Sequence, residues 1–163
     1  MLCSLEINNF RTFSRLSIER LGRVNLVLGK NNVGKTTLLE ALRFYLMGSA
    51  TALREFLVEH DELIVASVPP VAQLDLPSLF HGRGEGAQES RVGPIDRPDL
   101  ALTLRLVDME QVEESDGGYH YEEWEPSEVP VEGEVVKGVA FQRNDVRVLV
   151  TPEPTRRALG RGK

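Results

Sequence analysis

Residues Gly29, Lys30, Asn31, Asn32, Val33, Gly34, Lys35 and Thr36 stand in the spacing G-x-x-x-x-G-K-[ST]. A loop of this kind turns successive backbone N–H groups toward one point and forms a concave nest for anions. The lysine adds a charge that reaches the outer phosphates, and the hydroxyl after it is placed to ligate Mg²⁺. The spacing carries that meaning only where a strand runs into the loop and a helix leaves it, which restricts the chain to α/β folds.

Both flanks have the required pattern. Residues 24–28, Val-Asn-Leu-Val-Leu, are a short apolar run rich in strand formers between Gly22 and Gly29, and they predict the entering strand. Residues 37–47 carry Leu38, Leu39, Ala41, Leu42, Tyr45 and Leu46 at helical spacing. They predict the leaving helix with those side chains on its buried face, and Gly48 as its stop.

A length of 163 residues suggests one domain with enough chain for a real core, and 41% apolar residues with a net charge of −6 is an ordinary globular composition. The acidic balance gives no electrostatic case for tight nucleic-acid binding by this chain alone. A single cysteine, Cys3, excludes an internal disulfide and fits a reducing compartment. No apolar run approaches the roughly 20 residues that span a bilayer. Glu6 interrupts the N-terminal apolar stretch, so neither a secretory signal nor a membrane partner is expected, and the expected location is cytoplasmic.

Along the chain, residues 2–8 alternate as a first strand, residues 10–13 turn, and residues 16–18 begin a second strand that pairs back on the first. Residues 51–67 place Leu53, Phe56, Leu57, His60, Leu63 and Ile64 at helical spacing, ended by Pro69 and Pro70. Residues 76–81 predict one helical turn opened by Pro77, and residues 82–97 a loop rich in Gly, Arg and Pro. The second half is β-patterned. Leu100, Leu102, Leu104 and Leu106 alternate with Ala101, Thr103, Arg105 and Val107, and further strands are expected over 119–124, 135–142 and 146–150, with Asn144 and Asp145 as a hairpin turn. Residues 108–134 hold many Asp and Glu and no Lys or Arg, which reads as solvated edges and loops of an antiparallel lobe. Residues 1–151 are expected to form the lobe, and the Arg-rich residues 152–163 a disordered tail.

The run Leu5-Glu6-Ile7-Asn8-Asn9-Phe10-Arg11-Thr12-Phe13, followed by the loop and its flanks over 24–42, resembles the N-terminus of the ABC-type chromosome-maintenance ATPases. These are the RecF, SMC and OLD-like group, often labelled "AAA family ATPase" in bacteria. Leu79-Phe80-His81-Gly82-Arg83 also resembles OLD-type relatives, more weakly. The resemblance implies an α/β fold: the N-terminal lobe of a P-loop NTPase of the ABC-head type, with an antiparallel β subregion. It implies ATP phosphates at Gly29, Lys30, Asn31, Asn32, Val33, Gly34, Lys35, Thr36 and Thr37, with Mg²⁺ held by Thr36. Arg11 matches a basic residue that in the family sits near those phosphates; the alternative is a solvated loop arginine. Phe10 and Phe13 either flank a base or pack in the core.

The complete form implied by the resemblance hydrolyses ATP between two associated heads. Its partners are the nucleotide and either a second head or a complementing C-terminal chain, with DNA contacted only by the complete assembly. Three segments imitate the family's remaining parts. Ser115-Asp116-Gly117-Gly118 is similar to its signature but precedes a strand pattern, so a hairpin turn is expected. Asp108 and Glu110 are similar to its acidic strand end, yet Thr103 and Arg105 give that strand a wet face where a buried one is needed. Gln142 falls at a plausible distance for a metal-contacting glutamine. None of the three histidines has the spacing of a zinc site or a catalytic triad, and His81 is expected as a loop or cap residue. The catalytic residues are therefore unassigned. A non-catalytic nucleotide-binding or assembly module is the alternative reading.

Overall fold

A computed structural model describes residues 2–49, 53, 56–57, 63–65, 72–85, 88–113, 115, 118–123 and 135–151. Strands β1 (Leu5–Phe10) and β2 (Phe13–Ile18) form an antiparallel hairpin whose register runs from Leu5 opposite Ile18 to Phe10 opposite Phe13. The expected pairing of the first two strands is borne out, with β1 ending two residues later than its alternation suggested. Helix α1 (Lys35–Met47) leaves the loop and stops at Gly48, whose left-handed φ of 55° a glycine adopts without steric cost. The Gly48 N–H bonds the Phe44 carbonyl at 2.9 Å. Arg143 also closes this end: its Nη1 donates to the Tyr45 carbonyl at 2.8 Å, a favourable place for a cation.

The other strands are β3 (Leu63–Val65), β4 (Ala72–Leu74), β5 (Glu89–Gly93), β6 (Leu102–Glu113), β7 (Tyr119–Glu123), β8 (Val135–Arg143) and β9 (Val146–Val150). One seven-stranded sheet runs β2-β1-β5-β6-β8-β9, with β7 paired to β6, and β3 and β4 form a separate pair. Every ladder among the described residues is antiparallel. The second half follows its alternation closely. Leu102, Leu104 and Leu106 point into the core while Arg105 stays in water, and β8 turns into β9 through Asn144, at φ 52°, and Asp145. On the wet face Glu123 is shared by Arg105 and Arg147, and Asp108 pairs with Lys137 at 2.6 Å.

The core lies between this sheet and α1. Leu5, Ile7 and Phe10 of β1 meet Leu38, Ala41 and Phe44 of the helix, with Phe56, Leu79 and Phe80 closing the end. Phe44 is edge-on to both Phe10, at 5.6 Å between centroids, and Phe56, at 4.6 Å. Phe10 is thus a core residue.

Four expectations are corrected. Residues 24–28 form no strand: Val24 is 91%, Leu26 81% and Leu28 79% exposed. A run that is apolar on both faces becomes a strand inside a sheet covered on both sides, and no described strand pairs with it. On α1, Leu39 and Leu46 are 63% and 73% exposed while Phe44 is buried. The apolar arc of this helix is wider than the surface the sheet covers. Of the helix expected over 51–67, Leu53, Phe56 and Leu57 are helical and buried, but Leu63–Val65 is strand, paired with Ala72–Leu74. Within the expected loop over 82–97, β5 is a central strand. Its buried Ser90 hides the apolar alternation, and Gly93 is needed because a Cβ there would lie 2.5 Å from the Ala101 Cα. Pro77 does open a 3₁₀ turn over Leu76–Leu79. Residues 152–163, Pro69, Pro70 and His60 lie outside the described residues.

Candidate functional site

The loop residues converge as their spacing requires. Asn31, Asn32, Gly34, Lys35, Thr36 and Thr37 line a concavity of about 500 Å³, together with Thr12 from the β1–β2 turn. Asn32 and Gly34 take left-handed φ values of 63° and 92°, an alternation that brings successive amides to one side. Gly34 is required twice over: besides its φ, a Cβ there would lie 2.7 Å from the Phe13 ring and 3.0 Å from Thr12 Oγ1. Helix α1 begins directly after it with no side-chain cap. Its first N–H groups, which have no partner within a helix, and its positive dipole end therefore face the concavity. Lys35 folds along the loop, its Nζ donating to the carbonyls of Gly29 at 2.9 Å and Lys30 at 2.6 Å.

Arg11 stands behind this wall rather than on it. Its Nε is 3.1 Å from Glu40 Oε2, and its guanidinium lies over the Phe56 ring at 5.4 Å. Glu40 is buried one turn into α1, so the pair fixes the hairpin turn against the helix. The turn is anchored on its other side as well. The Arg11 N–H donates to the Leu79 carbonyl, and His81 Nδ1 donates to the Arg11 carbonyl, both at 3.0 Å. His81 is therefore a loop residue holding backbone, as its sequence context suggested. Phe13 is half-buried against Gly34, and Gly29 packs on Val33.

The three imitating segments stay apart from the loop. Asp108 is bound to Lys137 on β6, Glu110 faces β7 and β8 in the ladder, and Gln142 is an exposed residue of β8 opposite Thr103. Ser115 and Gly118 lie in the connection of the β6–β7 hairpin. No described carboxylate lines the concavity. Thr12 is the one lining residue that sequence reasoning left out. It lies 25 positions from its neighbour Thr37, and no local spacing reports such a contact.

The AAA domain family matches residues 4–76. The DNA replication and repair protein RecF of Aliivibrio fischeri is 27% identical over 118 residues, covering 68% of this chain and 32% of that protein. The RecF of Clostridioides difficile is 41% identical over 49 residues, covering 30% of this chain and 13% of its own length. The N-terminal part of the chain is similar to the N-terminal lobe of RecF/SMC-like ATPases. An ATP/GTP phosphatase of Helicobacter pylori is 42% identical to it over 50 residues, which are 31% of this chain and 13% of the relative. The lobe spans about a third or less of the length of these relatives. No solved structure matches it. No described helix is long and apolar enough to cross a membrane.

Proposed function

We propose that the lobe binds Mg²⁺-ATP at residues Gly29 to Thr37 as the phosphate-binding half of an ATPase head. The observation that carries this reading is the convergence of a helix N-terminus, loop amides, Lys35 and three threonines on one concavity. The donor set fits a triphosphate: amides and an ammonium complement anionic oxygens, and Thr36 offers the oxygen ligand that Mg²⁺ prefers. Bound Mg²⁺ would supply charge neutralisation on the phosphate oxygens. Lys35 would exchange the two loop carbonyls for phosphate oxygens, and Arg11, held by Glu40 behind the concavity, would brace the β1–β2 turn beside them.

The complete protein in this reading hydrolyses ATP, in the cytoplasm and in service of DNA repair, chromosome maintenance or phage defence. The lobe supplies phosphate binding, while the remainder of the complete protein, in the same or a partner polypeptide, supplies the groups that orient water. Two observations favour that division. No described carboxylate lines the concavity, and the apolar residues Leu26, Val27, Leu39 and Leu42 line an open groove beside the loop. A strand-bearing partner, from a complementing chain or a second head, is the occupant that pairs residues 24–28 and covers that face. The same observations keep a second reading in play, a nucleotide-binding module without turnover of its own.

Titration calorimetry with Mg²⁺-ATP tests the proposal. Lys35→Ala is expected to weaken binding by about 10- to 100-fold, since a charged hydrogen bond contributes roughly 1.5–3 kcal/mol, with an unchanged melting temperature. Equal binding by parent and variant would refute it.

A further inference from the structure

Thr12 approaches the loop from a separate element, and its Oγ1 lies within hydrogen-bond distance, 3.2 Å, of Thr37 Oγ1. Thr37 is the third residue of α1 and is buried. A threonine in a helix ordinarily turns its hydroxyl back to a carbonyl one turn earlier or out to water. A hydroxyl has one proton to give and two lone pairs to accept with. When Thr12 gives its proton to this bond, Thr37 accepts it and keeps its own proton to donate. Chains of this kind polarise each link and strengthen the terminal donor.

The place of Thr12 is set on both sides. Arg11, next to it, is bound through its N–H to Leu79, through its carbonyl to His81 and through its side chain to Glu40. Phe10 forms an isolated bridge with Phe80, and Phe13 rests on Gly34. The turn is thus held rigidly against the loop before any ligand arrives, which lowers the ordering cost of binding.

We propose that Thr12 is a positioning residue of the nucleotide site, orienting the Thr37 hydroxyl as a donor toward a bound phosphate. The inference rests on the reading of the loop as a phosphate site and names a residue outside the loop that tunes it.

Calorimetry with Mg²⁺-ATP on the whole chain tests it through Thr12→Val, Thr12→Ser, Thr37→Val, the double variant Thr12→Val/Thr37→Val, and Lys35→Ala as reference. Thr12→Val keeps the shape and removes the hydroxyl, and is expected to weaken binding about fivefold, while Thr12→Ser stays within about twofold of the parent. The double variant is expected to bind no more weakly than Thr37→Val alone, because the Thr12 hydroxyl acts through Thr37. A purely structural role would instead lower the melting temperature and add its effect in the double variant. Should Thr12→Val fail to fold, Thr12→Ser against Thr12→Ala gives the same contrast. Parent-like binding by Thr12→Val, or a double variant whose loss is the product of the single losses, overturns the inference while Lys35→Ala still shows a working phosphate site. Parent-like binding by Lys35→Ala, or none by the parent, overturns the phosphate-site reading and this inference together.

Discussion

The antiparallel half, β5 through β9, and the loop half, residues 22–47, solve opposite problems. In the first, each strand has a ladder partner, the alternating leucines of β6 are covered, and Arg105, Arg147 and Lys137 pair with carboxylates across strands. In the second, the chemistry for an anion is in place, yet residues 24–28 have no described ladder and the helix carries apolar side chains on a face the sheet does not reach. The apolar arc of α1 is wider than the surface the sheet covers. One half is closed as structure, and the other carries the proposed phosphate site on a body whose apolar face is not covered among the described residues.

The largest expected effect tests the joint between the halves. Phe44 links the helix to Phe10 of the sheet and to Phe56, and Phe44→Ala should cost about 3–5 kcal/mol in denaturant unfolding. A cost under about 1 kcal/mol would mean that the loop half does not rest on the sheet. Arg11→Ala should cost roughly 1–3 kcal/mol, because it leaves the buried Glu40 without its salt bridge. Arg11→Met with Glu40→Leu should recover most of that loss in the same measurement, and a double variant as unstable as the single one would remove the ion pair from the account. The smallest effect sharpens the contrast most. Leu39→Gln with Leu46→Gln should change stability by no more than about 0.5 kcal/mol, as exposed sites do, and should reduce self-association in sedimentation. A large destabilisation would show that this face is covered within the chain.

The same contrast explains what was legible in the sequence. The strands over 146–150 and 135–142 and the hairpin at Asn144 were readable because period-2 alternation and turn residues are local signals that an antiparallel sheet with one wet face obeys. The loop and the stop at Gly48 were readable because their backbone demands fix residue types. The failures are tertiary. Residues 24–28 have a strand's composition, but a strand also needs a neighbour. The spacing of Leu39 and Leu46 announces a helix face without saying which part of it is covered. Ser90 and Gly93 disguise a central strand because one is a buried polar residue and the other answers a close approach of Ala101. Thr12 belongs to the site only through the fold.

The central proposal, that the described residues hold the phosphate-binding chemistry and not the water-orienting chemistry, is tested most directly by phosphate release at saturating Mg²⁺-ATP. The measurement uses purified chain whose binding has been established, beside Lys35→Ala and the pair Asp108→Asn with Glu110→Gln. The account predicts binding with negligible turnover, because tight ground-state binding does not by itself lower the barrier and orienting the attacking water is a separate task. Turnover abolished by Lys35→Ala and by the carboxylate pair would contradict it, placing the missing acid on β6.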